Sequence, residues 1–132
     1  MTDREFLLAK LAVGDIFHAE YPNGALCICL VLSVAPGSII ARRITSQENL
    51  KFDRQTGVEK VADEEPQAII ISVAPLPSEI HNVFVALDQK YGAVRGQDDI
   101  FEKNPEYFKL SEVEKNALVF INSRCASNPL PP

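Results

Sequence analysis

Residues 25–34 read Ala-Leu-Cys-Ile-Cys-Leu-Val-Leu-Ser-Val, a nearly continuous apolar run between the turn signals Pro22-Asn23-Gly24 and Ala35-Pro36-Gly37. A short apolar run that ends at glycine and proline on both sides is typical of a strand that is buried on both faces. We therefore expect this stretch to be the central strand of a β core.

Further strand signals surround this stretch. Residues 16–21 and 38–45 flank its two turns, and turns of this composition favour hairpins, so the three segments predict an antiparallel meander. A hairpin is predicted around Gly57, and residues 67–74 read as a closing strand that ends at Pro75, because proline cannot donate to a ladder. Together these signals predict a five-stranded antiparallel SH3-like small barrel.

Two helices are predicted before and after the barrel. Thr2 and Glu5 have the spacing of a capping box, which predicts a short helix over residues 3–11. Ser78 is expected to cap a second helix, because apolar residues then recur at helical spacing as far as Tyr91.

The C-terminal third is predicted to contain a last helix. Ser111 and Glu114 form a second capping box ahead of a helix to about residue 123, and Asn104-Pro105 predicts a single helical turn before it. Phe84, Val113 and other apolar residues on these helices are expected to be buried against the barrel, each gaining about 1.5 to 3 kcal/mol.

The 132 residues suit one α+β domain that is mainly β. Its predicted parts are an N-terminal helix (1–12), the small barrel (13–75), a helical layer (76–124) packed on it and an extended tail (125–132).

Bulk composition predicts a cytoplasmic globular protein. Hydrophobic residues make up 46% and charged residues 23%, and the longest apolar run is too short for a membrane helix, so no membrane partner is expected. The first residues lack the basic lead and apolar centre of a secretory signal, and three cysteines, an odd number, fit a reducing compartment.

The net charge of −5 lies in the second part of the chain. Residues 61–132 carry eleven acidic and six basic residues, whereas residues 1–60 carry seven of each. Such acidity argues against general nucleic-acid affinity, which depends on phosphate neutralisation. It favours a protein partner.

The sequence predicts no catalytic residue, no metal site and no cofactor. Structural zinc sites usually place their ligands in pairs on tight turns, and the cysteines and histidines of this chain do not have that spacing. The residues concerned are Cys27, Cys29, His18, His81 and Cys125. Cys27 and Cys29 point to the same side of one strand, with Cα atoms about 6.6 Å apart, near the limit of disulfide geometry. We interpret them as small buried hydrophobes.

One polar cluster is a candidate binding site. Arg43, Lys51 and Arg54 are predicted to converge on the barrel rim, where guanidinium groups suit phosphate or carboxylate recognition. The competing interpretation pairs the cations with nearby acidic residues. The complete candidate site is Arg42, Arg43, Lys51 and Arg54, with Tyr21 and Phe52 as stacking platforms.

Two segments carry a family resemblance. Val13-Gly14-Asp15-Ile16 and Leu30-Val31-Leu32-Ser33 resemble the start of plasmid-type toxin endoribonucleases, which implies a small barrel and RNA cleavage. In this chain the turn Pro22-Asn23-Gly24 replaces the arginine-containing loop that those enzymes use on RNA.

Three functions follow as hypotheses. The first is a non-enzymatic cytoplasmic binding or regulatory module, inhibitor-like or immunity-like, whose partner is another protein. The second is a barrel that binds RNA or phosphate through the candidate site, and the third is a toxin-type endoribonuclease. Edge strands would also allow a homodimer.

Overall fold

A computed structural model describes residues 2–61, 66–94, 111–127 and 129–131. The predicted helical turn at Asn104-Pro105 lies outside the described residues. The described part of the chain forms three helices and five strands: α1 (Asp3–Ala9), β1 (Ile16–Glu20), β2 (Leu26–Ala35), β3 (Ser38–Arg43), β4 (Asn49–Asp53), β5 (Ile69–Ser72), α2 (Ser78–Gly92) and α3 (Glu112–Ser127).

The five strands form one antiparallel sheet in the order β4-β3-β2-β1-β5, curled into a half-barrel. The apolar strand β2 is its centre, and β1, β2 and β3 form the predicted meander. The prediction of an α+β fold dominated by antiparallel sheet is confirmed.

Residues 57–60 lie between the two edge strands and hydrogen-bond to both. Ile70 N donates to the carbonyl of Gly57 at 2.9 Å, and Lys60 N donates to the carbonyl of Lys51 at 2.7 Å. Isolated bridges pair Val58 with β5 and Glu59 with β4. These contacts connect the edges of the curled sheet.

Alternation of side chains along the strands produces two apolar cores, because successive residues point to opposite faces. The inner core fills the concave face and includes Leu8 of α1, Phe17, Phe52 and Leu130. The outer core lies between the convex face and the two long helices, and its buried members are Ile16, Ile44, Phe84, Leu87, Tyr91, Ala117 and Ile121. The long helices therefore pack on the sheet.

Several predicted boundaries and contacts change. The Ser111–Glu114 capping box is confirmed, since Ser111 N donates to Glu114 Oε1 at 2.8 Å and Glu114 N to Ser111 Oγ at 3.2 Å. The prediction that Ser78 caps α2 is wrong by one residue, because Pro77 is the N-cap. Val113 was expected to be buried and is 62% exposed, because its side of α3 faces away from the sheet.

Candidate functional site

The polar residues of the predicted candidate site are divided between the two faces of the sheet. In β3, Arg42 is paired with Leu30 on the convex face, and Arg43 is paired with Cys29 on the concave face. Lys51 is exposed and is paired with Ile40, which places it on the same face as Arg42. The structure therefore does not bring Arg43 and Lys51 together.

Arg42 is held by helix α2. Its Nε and Nη2 atoms donate to the two carboxylate oxygens of Asp88 at 2.9 and 2.6 Å. Hydrogen bonding to this carboxylate raises the pKa of Arg42 above its ordinary value. Gln47 completes the group by donating to the same carboxylate at 3.0 Å.

Arg54 binds main-chain carbonyls around α1. Its guanidinium donates to the oxygens of Ala9 at 2.8 Å, Leu11 at 3.1 Å and Ala35 at 3.0 Å. Phe52 is fully buried, and its ring meets Phe17 edge-on with centroids 5.1 Å apart. Arg54 thus fastens α1 to the sheet, and Phe52 presents no face on which a base could stack.

The acidic neighbours of these cations bind backbone amides. Asp53 Oδ1 accepts from Gln55 N at 2.8 Å and from Thr56 N at 3.0 Å, and these bonds lower the pKa of Asp53. Glu59 Oε1 accepts from Ala68 N at 3.1 Å.

One pair of the predicted residues does meet, at one end of the concave face. The guanidinium carbon of Arg43 lies 5.4 Å from the centroid of the half-buried Tyr21 ring, within cation–π distance. Two cysteines and a buried glutamate lie near this pair. We call the group the thiol cluster: Tyr21, Cys27, Cys29, Arg43 and Glu59.

The two thiols of the thiol cluster touch each other. Cys27 and Cys29 are both free and fully buried, and their sulfur atoms are 3.4 Å apart. They point to the same concave face, as residues two apart in a strand must. The Tyr21 side chain packs against the inner core that contains both cysteines.

Charge and hydrogen bonding shift the pKa values of the two thiols in opposite directions. The hydrogen bond from Cys29 and the positive charge of Arg43 hold the pKa of Cys27 below its usual value, although burial opposes this. The same shared hydrogen bond and burial raise the pKa of Cys29. Burial and the nearby Cys27 and Glu59 raise the pKa of Tyr21. These surroundings favour the thiolate form at Cys27 over that at Cys29.

Part of this arrangement could be predicted from the sequence. The spacing of Cys27 and Cys29 already placed their side chains on one face. Their contact with Arg43 depends on the register between β2 and β3, which local patterns do not specify. Asp88 and Gln47 were missed as partners of Arg42 because no short-range pattern connects them.

A separate cleft of about 490 Å³ lies between α1, β1 and the start of α2. Its size is within the range of small-molecule sites. Its walls are mainly aliphatic, with one cation, one carboxylate and one imidazole among them: Leu7, Lys10, Leu11, Asp15, Ile16, Val73, Pro75, Leu76 and His81.

An exposed row of two apolar side chains with a glutamate between them crosses three strands on the convex face. Leu26 of β2 and Ile69 of β5 are both register partners of Glu20 in β1, so the three side chains lie side by side. Leu26 is 42% exposed and Ile69 is 43% exposed. The neighbouring Ile28 packs against the outer core. We call Leu26, Glu20 and Ile69 the apolar row.

Signals of common protein classes are few. No group of three histidine, cysteine or acidic residues in the described ranges could hold a metal ion. None of the helices formed by these residues has the length and apolar character needed to cross a bilayer. The chain matches no family model, no curated protein and no solved structure.

Proposed function

We propose that this protein is a non-enzymatic binding or regulatory module whose partner is another protein. The apolar row carries the proposal. Large apolar side chains that stay exposed at neighbouring positions mark interaction surfaces, and Leu26 and Ile69 lie on the two strands that flank Glu20 of β1. Covering the exposed half of each side chain would contribute about 1 kcal/mol.

The chemistry of the apolar row suggests the chemistry of the partner. Glu20 lies between the two apolar residues and is half-buried. A partner surface with apolar side chains around a lysine or arginine would complement this row, because burying Glu20 without a cation would be costly. A basic protein partner also agrees with the net charge of −5. An inhibitor or immunity-like protein of this kind acts by covering a basic surface.

The arginines support a protein partner over a nucleic acid. Each arginine whose side chain the structure describes contacts its own chain. Arg4 donates to the carbonyls of Thr56 and Ile70, Arg42 binds Asp88, Arg54 binds three carbonyls, and Arg43 lies over Tyr21. Phosphate binding needs cations that are free to replace counterions.

The proposal also includes a specific barrel type and a cellular location. We infer that the half-barrel is an SH3-like barrel, and the bridges made by residues 57–60 between its edge strands support this. The free thiols of Cys27 and Cys29 support a cytoplasmic location, where thiols stay reduced.

The test is affinity capture with chemical crosslinking, followed by direct binding measurements with the recovered protein. The variant Leu26→Glu, Ile69→Glu should lose the partner while keeping its melting temperature. Val119→Glu is the matched control, because Val119 is 65% exposed on α3, away from the apolar row. A partner that binds all three proteins equally, or repeated capture of nothing specific, would contradict the proposal.

RNA binding is the alternative, and one observation favours it: Arg43 and Tyr21 combine a cation with an aromatic ring at the end of the half-barrel. Salt-dependent retention on single-stranded RNA that is lost in Arg43→Ala would support it. Cleavage of that RNA would instead favour the endoribonuclease hypothesis.

A further inference from the structure

The proposed function makes no use of the buried thiols. Cys27 and Cys29 lie on one face of the central strand with their sulfurs 3.4 Å apart. Arg43 lies across from Cys29 in the register, and its Nε is buried with no hydrogen-bond partner among the described residues. Packing alone does not require two thiols in contact, nor a buried arginine nitrogen without a hydrogen-bond partner beside them.

We propose that Cys27 and Cys29 are a modification site, at which hydrogen peroxide converts the two thiols into a reversible disulfide within β2. Cys27 is the thiol that attacks the oxidant, and Cys29 is the thiol that resolves the intermediate.

The backbone allows this bond at the limit of its usual range. Two strand steps separate the Cα atoms by about 6.6 Å, and disulfides span Cα distances of about 4.4 to 6.8 Å. A modest contraction of β2 between Cys27 and Cys29 is therefore sufficient. Disulfides under strain are the easily reduced ones, so the bond is expected to be reversible.

The surroundings assign the two roles. Reactive cysteines lie in electropositive, partly exposed environments, often with a second thiol nearby; the buried Cys27 and Cys29 have the positive charge and the second thiol. Arg43 and the hydrogen bond from Cys29 lower the pKa of Cys27, whereas the pKa of Cys29 is raised. Tyr21 packs against the inner core that contains the pair, and both cysteines are buried, so the oxidant has to be small and uncharged, as hydrogen peroxide is.

The chemistry balances without another reactant. The Cys27 thiolate attacks one peroxide oxygen, the S–O bond forms as the O–O bond breaks, and the hydroxide released takes up a proton to become water. Cys29 then attacks the Cys27 sulfur and gives up its proton. The S–S bond forms, the S–O bond breaks, and a second water leaves. Two thiols are oxidised and one peroxide is reduced to two waters.

Peptide masses test the proposal on the intact chain. The folded protein is treated with hydrogen peroxide, its remaining thiols are alkylated, and it is digested with trypsin. Residues 11–42 form one peptide that contains both cysteines, whereas Cys125 falls in residues 125–132. We expect the 11–42 peptide to become two hydrogens lighter and unalkylated, and dithiothreitol to restore it. A peptide that stays reduced, or only gains oxygen atoms, would overturn the proposal.

Three variants test the assigned roles, each first shown to be folded by circular dichroism. In Cys29→Ser, Cys27 should stop at the sulfenic acid and react with dimedone, whereas Cys29 in Cys27→Ser should not. Arg43→Gln should slow disulfide formation severalfold, because loss of the neighbouring positive charge disfavours the thiolate. Dimedone labelling of Cys29 alone would reverse the roles, and an unchanged rate in Arg43→Gln would remove Arg43 from the site.

Discussion

The guanidinium of Arg42 and the carboxylate of Asp88 form a two-bond ion pair that joins the convex face of β3 to the middle of α2. The bonds measure 2.9 and 2.6 Å, and the two side chains are 21% and 6% exposed. Two parallel bonds restrict the orientation of the partner as well as its distance. The pair therefore helps to determine where α2 lies on the sheet.

Removing one member of this pair should be costly. Asp88→Ala leaves the Arg42 guanidinium partly buried without its carboxylate, and we expect the free energy of unfolding in urea to fall by about 2 to 3 kcal/mol. Glu112→Ala is the control, because the Glu112–Lys115 pair is exposed and 3.9 Å long. Equal losses in the two variants would show that the Arg42–Asp88 pair has no special role.

Stability should depend on His18 in mildly acidic solution. His18 is buried on β1, and neither ring nitrogen has a partner among the described residues. Burial lowers its pKa below the ordinary 6.5, with a smaller opposing effect from Glu20. Below pH 6.5 the unfolded chain therefore takes up a proton that the folded chain resists, so stability falls as the pH falls, by at most about 1.4 kcal/mol per pH unit.

Urea unfolding at several pH values between 7.5 and 5.5 would measure this effect. In His18→Leu the loss over this range should be smaller than in the natural protein, because the titrating group is gone. The same pH dependence in both proteins would assign it to other groups.

The elements that could be predicted from sequence are those with local signals. The apolar run at residues 25–34 identified the central strand because its composition and flanking turns are contained in a short window. The Ser111–Glu114 capping box identified the start of α3 for the same reason, since both hydrogen bonds join residues three positions apart.

The candidate site was harder to predict because it depends on long-range contacts. Arg42 and Asp88 are 46 positions apart, and only the packing of α2 on β3 brings them together. Phe52 was predicted to be a stacking platform, but the register of the sheet places it on the concave face, inside the inner core. Arg54 was a candidate phosphate ligand, but folding places three carbonyls within its reach.

Arg54 should stabilise the attachment of α1. Lys cannot reproduce a planar group with several fixed donors, so Arg54→Lys should lose part of the bonding to Ala9, Leu11 and Ala35. We expect a loss of about 1 to 2 kcal/mol and faster amide exchange in residues 3–11. Lys51→Ala, on an exposed residue, should change neither; unchanged exchange in Arg54→Lys would contradict the role.

Three glycines provide a graded test of the backbone near the edge of the half-barrel. Gly57 has a φ of +77°, and a Cβ there would lie 2.8 Å from Arg4 Nη2 and 3.4 Å from Ile70 Cβ. Gly14 has a φ of +93° but open space around it, and Gly37 has open space without a positive φ. Alanine at position 14 should therefore cost about 1 to 2 kcal/mol from backbone strain alone.

Alanine at position 57 adds crowding to that strain, and it displaces the Arg4 guanidinium from the carbonyls of Thr56 and Ile70. We expect the melting temperature to fall least for Gly37→Ala, more for Gly14→Ala and most for Gly57→Ala. Because residues 57–60 connect β4 to β5, the Gly57→Ala change should also speed amide exchange in both edge strands. A Gly57→Ala protein as stable as Gly37→Ala would mean that this connection contributes little to the fold.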